Sequence, residues 1–420
     1  MFEPLEPSRG GPLPDRGRRR NAVNLLLLLA GVGGLAFGSW ALYDAYATGQ
    51  ARTASRALIT RACAGLVDPD EVMRLDGGAD RVVLGGEDPS TIDFDTIPDR
   101  CVLSRLEGDS LGREFKYGHF TLSLQGLPQA RDLHLSGEGW KPPFAVLRSG
   151  PQGDVTARTT LPDRMPLGDG RLGDYGPDDV TVVARCEQPA RAGTTSLVVT
   201  AASPSTRHET GDRPILARLA RRAAEHAAEE YGCRTGLPGL PDELPPPVTA
   251  LGPAGGRTDS CGWYAAHLRT ADREQLPDRA AGVPVPGAAR EEGCLLAMSP
   301  EGNERVLGLL TGAEREDAAT SLGHSPWWLR TRSYFGDDAA AVTVTGGRRP
   351  DPVVPGTAGR TKDLLYGSMS CAGRPATLTM VVPYTYRSVL GPRLDGLFTA
   401  YATDTAQRRG CTGLVLPGPE

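Results

Sequence analysis

Lysine is nearly missing from this chain. Lys116, Lys141 and Lys362 are the three, among 46 basic residues. The arginine skew reflects codon usage and carries no functional information. Surplus positive charge is missing too: 51 acidic residues leave a net charge of −5. That balance excludes a general nucleic-acid binder. Aromatic residues make up only 6%, so the cores are modest and mostly aliphatic. Signature motifs of catalysis are absent as well. No CxxC or CxxH pair offers a metal cluster, and the six histidines form neither HExxH nor HxH. SxxK and Walker A motifs do not occur. The Gly-Gly pairs at 77, 85, 255 and 346 read as turns.

What is there begins with an apolar run. Val23–Tyr43 holds 21 residues without a charge, enough to span about 30 Å as a helix. Arg16, Arg18, Arg19 and Arg20 precede it and Asp44 follows. The sequence therefore predicts a transmembrane signal-anchor over residues 22–44, with a disordered cytoplasmic tail over 1–21. The competing reading is a cleaved signal peptide, since Ser39-Trp40-Ala41 has small residues where a peptidase needs them. Ala30, Gly34 and Gly38 share one face of the span, so a helix-packed homodimer is a candidate assembly.

Length and glycine-proline content (53 and 36 residues) point to several turn-rich domains. The eight cysteines all follow the apolar run, and an even count beyond a membrane favours disulfides. Cys63, Cys101, Cys186 and Cys233 are spaced 38, 85 and 47 residues apart; Cys261, Cys294, Cys371 and Cys411 are spaced 33, 77 and 40 apart. The shared rhythm predicts an internal duplication. Leu216 and Leu219 stand 17 and 14 residues before Cys233, and Leu394 and Leu397 repeat both offsets before Cys411. Residues 237–256 are rich in Gly and Pro and read as a linker. Unit 1 then covers 51–236 and unit 2 covers 257–420.

Within unit 1, Asp68-Pro69-Asp70-Glu71 starts a short helix. Phe120, Leu122 and Leu124 alternate with polar residues as in a half-buried strand. That alternation puts His119 on the polar side. Residues 179–185 and 194–202 are β-rich, and 215–231 is an amphipathic helix. Unit 2 repeats the pattern with strands over 294–298, 340–345 and 376–384 and a helix over 393–407. Strands with a terminal helix and no βαβ alternation predict an α+β fold, in two tandem disulfide-stapled units. Eight cysteines allow 105 connectivities. A helix returning across its sheet brings Cys233 to Cys186 and Cys411 to Cys371, leaving Cys63–Cys101 and Cys261–Cys294.

The stretch Cys63-Ala-Gly-Leu-Val-Asp-Pro-Asp-Glu-Val, with Cys101 later, resembles small disulfide-containing extracytoplasmic domains of actinobacterial lipoproteins and sensor proteins. The resemblance covers about a tenth of the chain. It implies a stapled envelope domain and carries over no catalytic residue. Cys261-Gly-Trp-Tyr departs from it by lacking the Pro-acidic helix.

The richest candidate site is the segment 324–335. Trp327, Trp328, Arg330, Arg332 and Tyr334 together make a candidate recognition patch. The competing reading seats these rings in the core of unit 2, which burial statistics favour. The pairs Asp178-Asp179 and Asp337-Asp338 lack EF-hand spacing and read as solvated. The sequence thus leads to the expectation of a non-enzymatic, membrane-anchored binding or scaffold protein of the bacterial envelope, requiring no cofactor or metal. Its expected partners are the lipid bilayer, a protein or cell-wall ligand in a groove between hinged units, and a second copy of itself, with no nucleic acid. The alternative is an envelope-polymer-modifying enzyme whose site leaves no motif.

Overall fold

A computed structural model describes residues 16–86, 91–95, 99–108, 113–127, 133–135, 142–144, 154–204, 211–323, 325–344 and 351–418. Most of the expected tail, together with His208 and His324, lies outside these residues. The chain divides into two compact units, residues 1–55 and 56–420. The first consists of helix α1 (Arg16–Ala62) up to Ser55, so the helix starts inside the stretch expected to be a tail. Ala22–Ala62 is long and apolar enough to cross a membrane, and its apolar window is unburied.

The second unit holds all the sheets. Its first half contains α2 (Pro69–Arg74), β1 (Val82–Leu84), β2 (Asp99–Gly108), β3 (Glu114–Leu127), β4 (Leu133–Leu135), β5 (Met165–Pro166), β6 (Gly173–Tyr175), β7 (Asp179–Arg185), β8 (Ser196–Ala202) and α3 (Asp212–Tyr231). The second half runs through β9 (Gly252–Pro253), α4 (Gly262–His267), β10 (Arg279–Gly282), β11 (Glu291–Ala297), α5 (Pro300–Leu309), α6 (Gly312–Leu322), β12 (Trp328–Phe335), α7 (Asp337–Ala340) and β13 (Val342–Val344). It ends with β14 (Asp351–Pro352), β15 (Gly359–Arg360), β16 (Leu364–Cys371), β17 (Arg374–Val381), α8 (Tyr384–Leu390), α9 (Arg393–Arg409) and β18 (Cys411–Val415).

The fold is α+β: one long apolar helix, then two antiparallel sheets with helices. The first sheet has the order β1-β2-β3-β8-β7-β6-β5, and the second β15-β16-β17-β12-β11-β10-β9. The central order β2-β3-β8-β7 in one has the same connectivity as β11-β12-β17-β16 in the other. A long helix lies downstream of the last of these strands in each half, α3 directly after β8 and α9 after the short α8. α3 lays Leu216, Leu219, Ala220, Ala223, Ala227 and Tyr231 on β7 and β8. The many alanines let the helix approach the sheet closely, and each buried Leu contributes about 2 kcal/mol. α9 buries Leu394, Leu397, Phe398, Tyr401 and Ala402 in the second core. Both helices stop at a left-handed glycine, Gly232 and Gly410, as C-caps commonly require. A cysteine follows each.

The disulfides are Cys63–Cys101, Cys186–Cys233, Cys261–Cys294 and Cys371–Cys411, and no described cysteine is free. Residues 237–249 lie along α3. Arg221 and Arg213 donate to the carbonyls of Pro238 and Leu244, and Tyr175 donates to that of Pro245 at 3.0 Å. Leu237, Leu240, Leu244 and Val248 pack on the first core. The segment is therefore a strap, held at both backbone and side chain.

One strand departs from the expected pattern. β2 and β3 pair Leu103 with Phe120 but Ser104 with Gly118, leaving His119 as the extra residue of a bulge. The bulge breaks the pleat alternation, so His119 turns inward and is fully buried, not on the polar side. Its Nε2 lies 2.9 Å from the Val72 carbonyl. A second departure is in β17, which ends at Val381. Pro383 has no N–H for the ladder, and Tyr384 opens α8.

Candidate functional site

β12 is a central strand, so both its faces are covered. Trp327 precedes it and stacks on Tyr386 with centroids 5.6 Å apart, inside the core beneath α8 and α9. Trp328, Arg330, Arg332 and Tyr334 alternate onto the opposite face. Trp328 and Tyr334 join a separate cluster there with Leu295, Val342 and Val381. Burial pushes the Tyr334 hydroxyl up to about 12, Glu291 adds to the shift, and the Arg332 guanidinium opposes it. Of the five residues proposed as a patch, Trp327, Trp328, Arg330 and Tyr334 therefore lie in the interior and Arg332 is half-buried. All but Trp327 share the face that meets the first half of the chain.

That meeting is electrostatic. Asp163, from the segment before β5, receives Arg332 through Nε and Nη2 at 3.2 and 3.1 Å. Arg330 Nε stands 3.6 Å from the same carboxylate, and its Nη2 donates to the Leu161 carbonyl at 2.5 Å. Gly293, opposite Arg332 on β11, makes room for this carboxylate; a Cβ there would overlap it. Arg290 grips Asp338 with two guanidinium nitrogens and lies 3.7 Å from Asp174 of β6. Arg164 pairs with Asp174 and, at 2.6 Å, with Asp179. Arg279 reaches Asp154 at 2.5 Å. Asp337 pairs with Arg374. Asp338 is thus buried against a guanidinium, and the half-exposed Asp179 and Asp337 each pair with one. β4 and β13 also pair in parallel across the halves. Each buried arginine has a carboxylate beside it, which is the condition for tolerating charge inside a protein. The expected groove between hinged units is, at this seam, a filled interface.

Open concavities lie elsewhere. A cleft of about 200 Å³ forms where β12 begins and β17 ends, lined by Pro142, Ser325, Trp328, Asp363, Val381, Pro383 and Tyr384. The Val382 N–H donates to the Asp363 carbonyl at 2.9 Å, which holds the two walls together. Tyr384 is 59% exposed. The Lys362 ammonium sits 4.7 Å from its ring centroid. Among the described residues, Trp328 Nε1 and Asp363 Oδ1 are buried without a hydrogen-bond partner. Another cleft, about 480 Å³, has a floor of Leu268, Leu276 and Pro277 and a rim with Asp272, Arg273 and Arg305. A third concavity of about 650 Å³ lies at the end of α3 beside Glu225, His226, Glu229 and Arg234. Among the described residues, no three His, Cys, Asp or Glu side chains converge as a metal site. On α1, Ala30, Gly34 and Gly38 are exposed, and a Cβ at either glycine would meet nothing within 4 Å.

The polar atoms of the cleft were not readable from sequence. Asp363 and Tyr384 are far from the 324–335 segment in the chain, and turns on either side of β16 and β17 bring them to Trp328. No protein-family model, curated protein or solved structure matches this chain.

Proposed function

We propose that the protein is a single-pass, membrane-anchored binding protein of the bacterial envelope, with residues 56–420 outside the cytoplasmic membrane. The observation that carries this reading is a chain whose unburied apolar helix precedes a body closed by four disulfides. Such bridges persist in oxidising compartments. The arginines at 16, 18, 19 and 20, on the N-terminal side of the span, orient the chain with that end inside. The ligand is cell-wall polymer, met by an exposed concavity and not by the filled seam. The two halves are copies of one ancestral unit. The shared order of their central strands and the equivalent positions of their disulfides support this.

The test uses full-length protein in lipid nanodiscs, mixed with purified cell-wall sacculi and sedimented. The expected result is saturable co-sedimentation with no release of soluble reducing ends. Absence of co-sedimentation sinks the binding reading. Steady release of fragments would replace it with a polymer-cleaving enzyme.

A further inference from the structure

We propose that the cleft beside Trp328 is a saccharide site that seats one pyranose ring. The assignment rests on the binding reading above and names the ligand class it takes. Three features of the cleft converge on a sugar. Its volume, about 200 Å³, suits a single ring. An extended peptide rises about 3 Å per residue and would need a longer groove. Its walls are an exposed tyrosine ring, two prolines and a valine, surfaces against which the C–H face of a pyranose packs. Lys362, over the Tyr384 ring, holds that platform at the lip.

The third feature is polar. Trp328 contributes an indole N–H, which only donates, and Asp363 a carboxylate oxygen, which accepts. Neither atom has a partner among the described residues. Buried polar groups are ordinarily paired, so an unmatched donor and acceptor in one small cleft call for a ligand carrying both complements. Sugar hydroxyls accept and donate at once. A free anion would suit the indole but would be repelled by Asp363. Both atoms are shielded from water, so bulk solvent does not satisfy them.

The experiment uses the full chain in lipid nanodiscs, with no glycoside detergent. N-acetylglucosamine, N-acetylmuramic acid and glucose are titrated and followed by saturation-transfer NMR and tryptophan fluorescence. A decapeptide of alternating proline serves as the peptide probe. At least one sugar should bind saturably. Tyr384→Ala and Asp363→Asn should each weaken that binding about tenfold, equivalent to one hydrogen bond or stacking contact. Tyr384 is exposed, so its variant should melt at the wild-type temperature. The proposal is overturned if none of the sugars binds, or if either substitution leaves affinity unchanged. Peptide binding that is lost in Tyr384→Ala, without sugar binding, overturns the saccharide assignment. Retained sedimentation with sacculi in both variants would show the failure to be the cleft's alone; loss of sedimentation in the wild type would show that the binding reading had failed.

Discussion

Asp163 is the residue on which the seam turns. It is 5% exposed and faces both Arg330 and Arg332. Removing it strands two cations in a place where burial already disfavours charge. Arg330 shows this directly: burial lowers its pKa despite Asp163. Asp163→Ala should cost about 3–5 kcal/mol in denaturant unfolding. A loss below about 1 kcal/mol would mean that Glu291, 3.5 Å from Arg332, carries the pair instead. His119 offers a second residue-scale test. Burial lowers its pKa from the ordinary 6.5, opposed by the Val72 carbonyl and, more weakly, by Asp76. Arg105 reinforces the lowering. The unfolded chain then binds a proton at a pH where the folded one does not. The resulting stabilisation is complete above pH 6.5 and is lost as pH falls below it. Stability should therefore drop between pH 7 and pH 5, with a shallower slope in His119→Gln. Equal slopes for the two proteins would refute this.

At the scale of elements, β12 shows how one strand serves two cores and an interface. Its odd positions face α8 and α9, and its even positions face the first half. Gly293 on the neighbouring strand has no side chain because Asp163 occupies that space. Gly293→Ala should destabilise by about 1–3 kcal/mol through forced displacement of the carboxylate, measured against wild type in urea. The disulfides act on elements too. Cys371–Cys411 ties the end of β16 to the start of β18, directly across the pair they form. Its removal as the double Ser variant should cost about 3 kcal/mol, read as a lower denaturant midpoint. No change in midpoint would mean that the α9 packing alone holds this corner.

Over the whole molecule, residues 56–420 behave as one body, because the seam is fastened by buried ion pairs, a β4–β13 pairing and the strap along α3. We expect a single cooperative unfolding transition. Fluorescence, dominated by Trp263, Trp327 and Trp328 of the second half, should coincide with far-UV circular dichroism, which reports both halves. Two separated transitions would show that the halves are independent after all.

Some of this was legible in the chain. The apolar run, the helices around Leu216 and Leu394, the strand at 179–185 and the α+β class follow from local periodicity and composition. Two cysteine pairs, Cys186–Cys233 and Cys371–Cys411, followed from strand and helix lengths, and the other two were the cysteines left over. These are short-range quantities, set by 3.6- and 2-residue repeats and by chain reach. Other features depended on distant partners. The arginines of β12 read as surface charge until Asp163, some 169 residues away, is seen beside them. His119 read as polar-facing until the bulge turned it. Asp178-Asp179 and Asp337-Asp338 read as solvated acids until arginines were found at Asp179, Asp337 and Asp338. The cleft exists only because Trp328, Asp363 and Tyr384 meet. A residue's alternation along a strand says which side it points to. What waits on that side is decided by packing across the fold, because burial and charge pairing are energies between segments and not properties of any one of them.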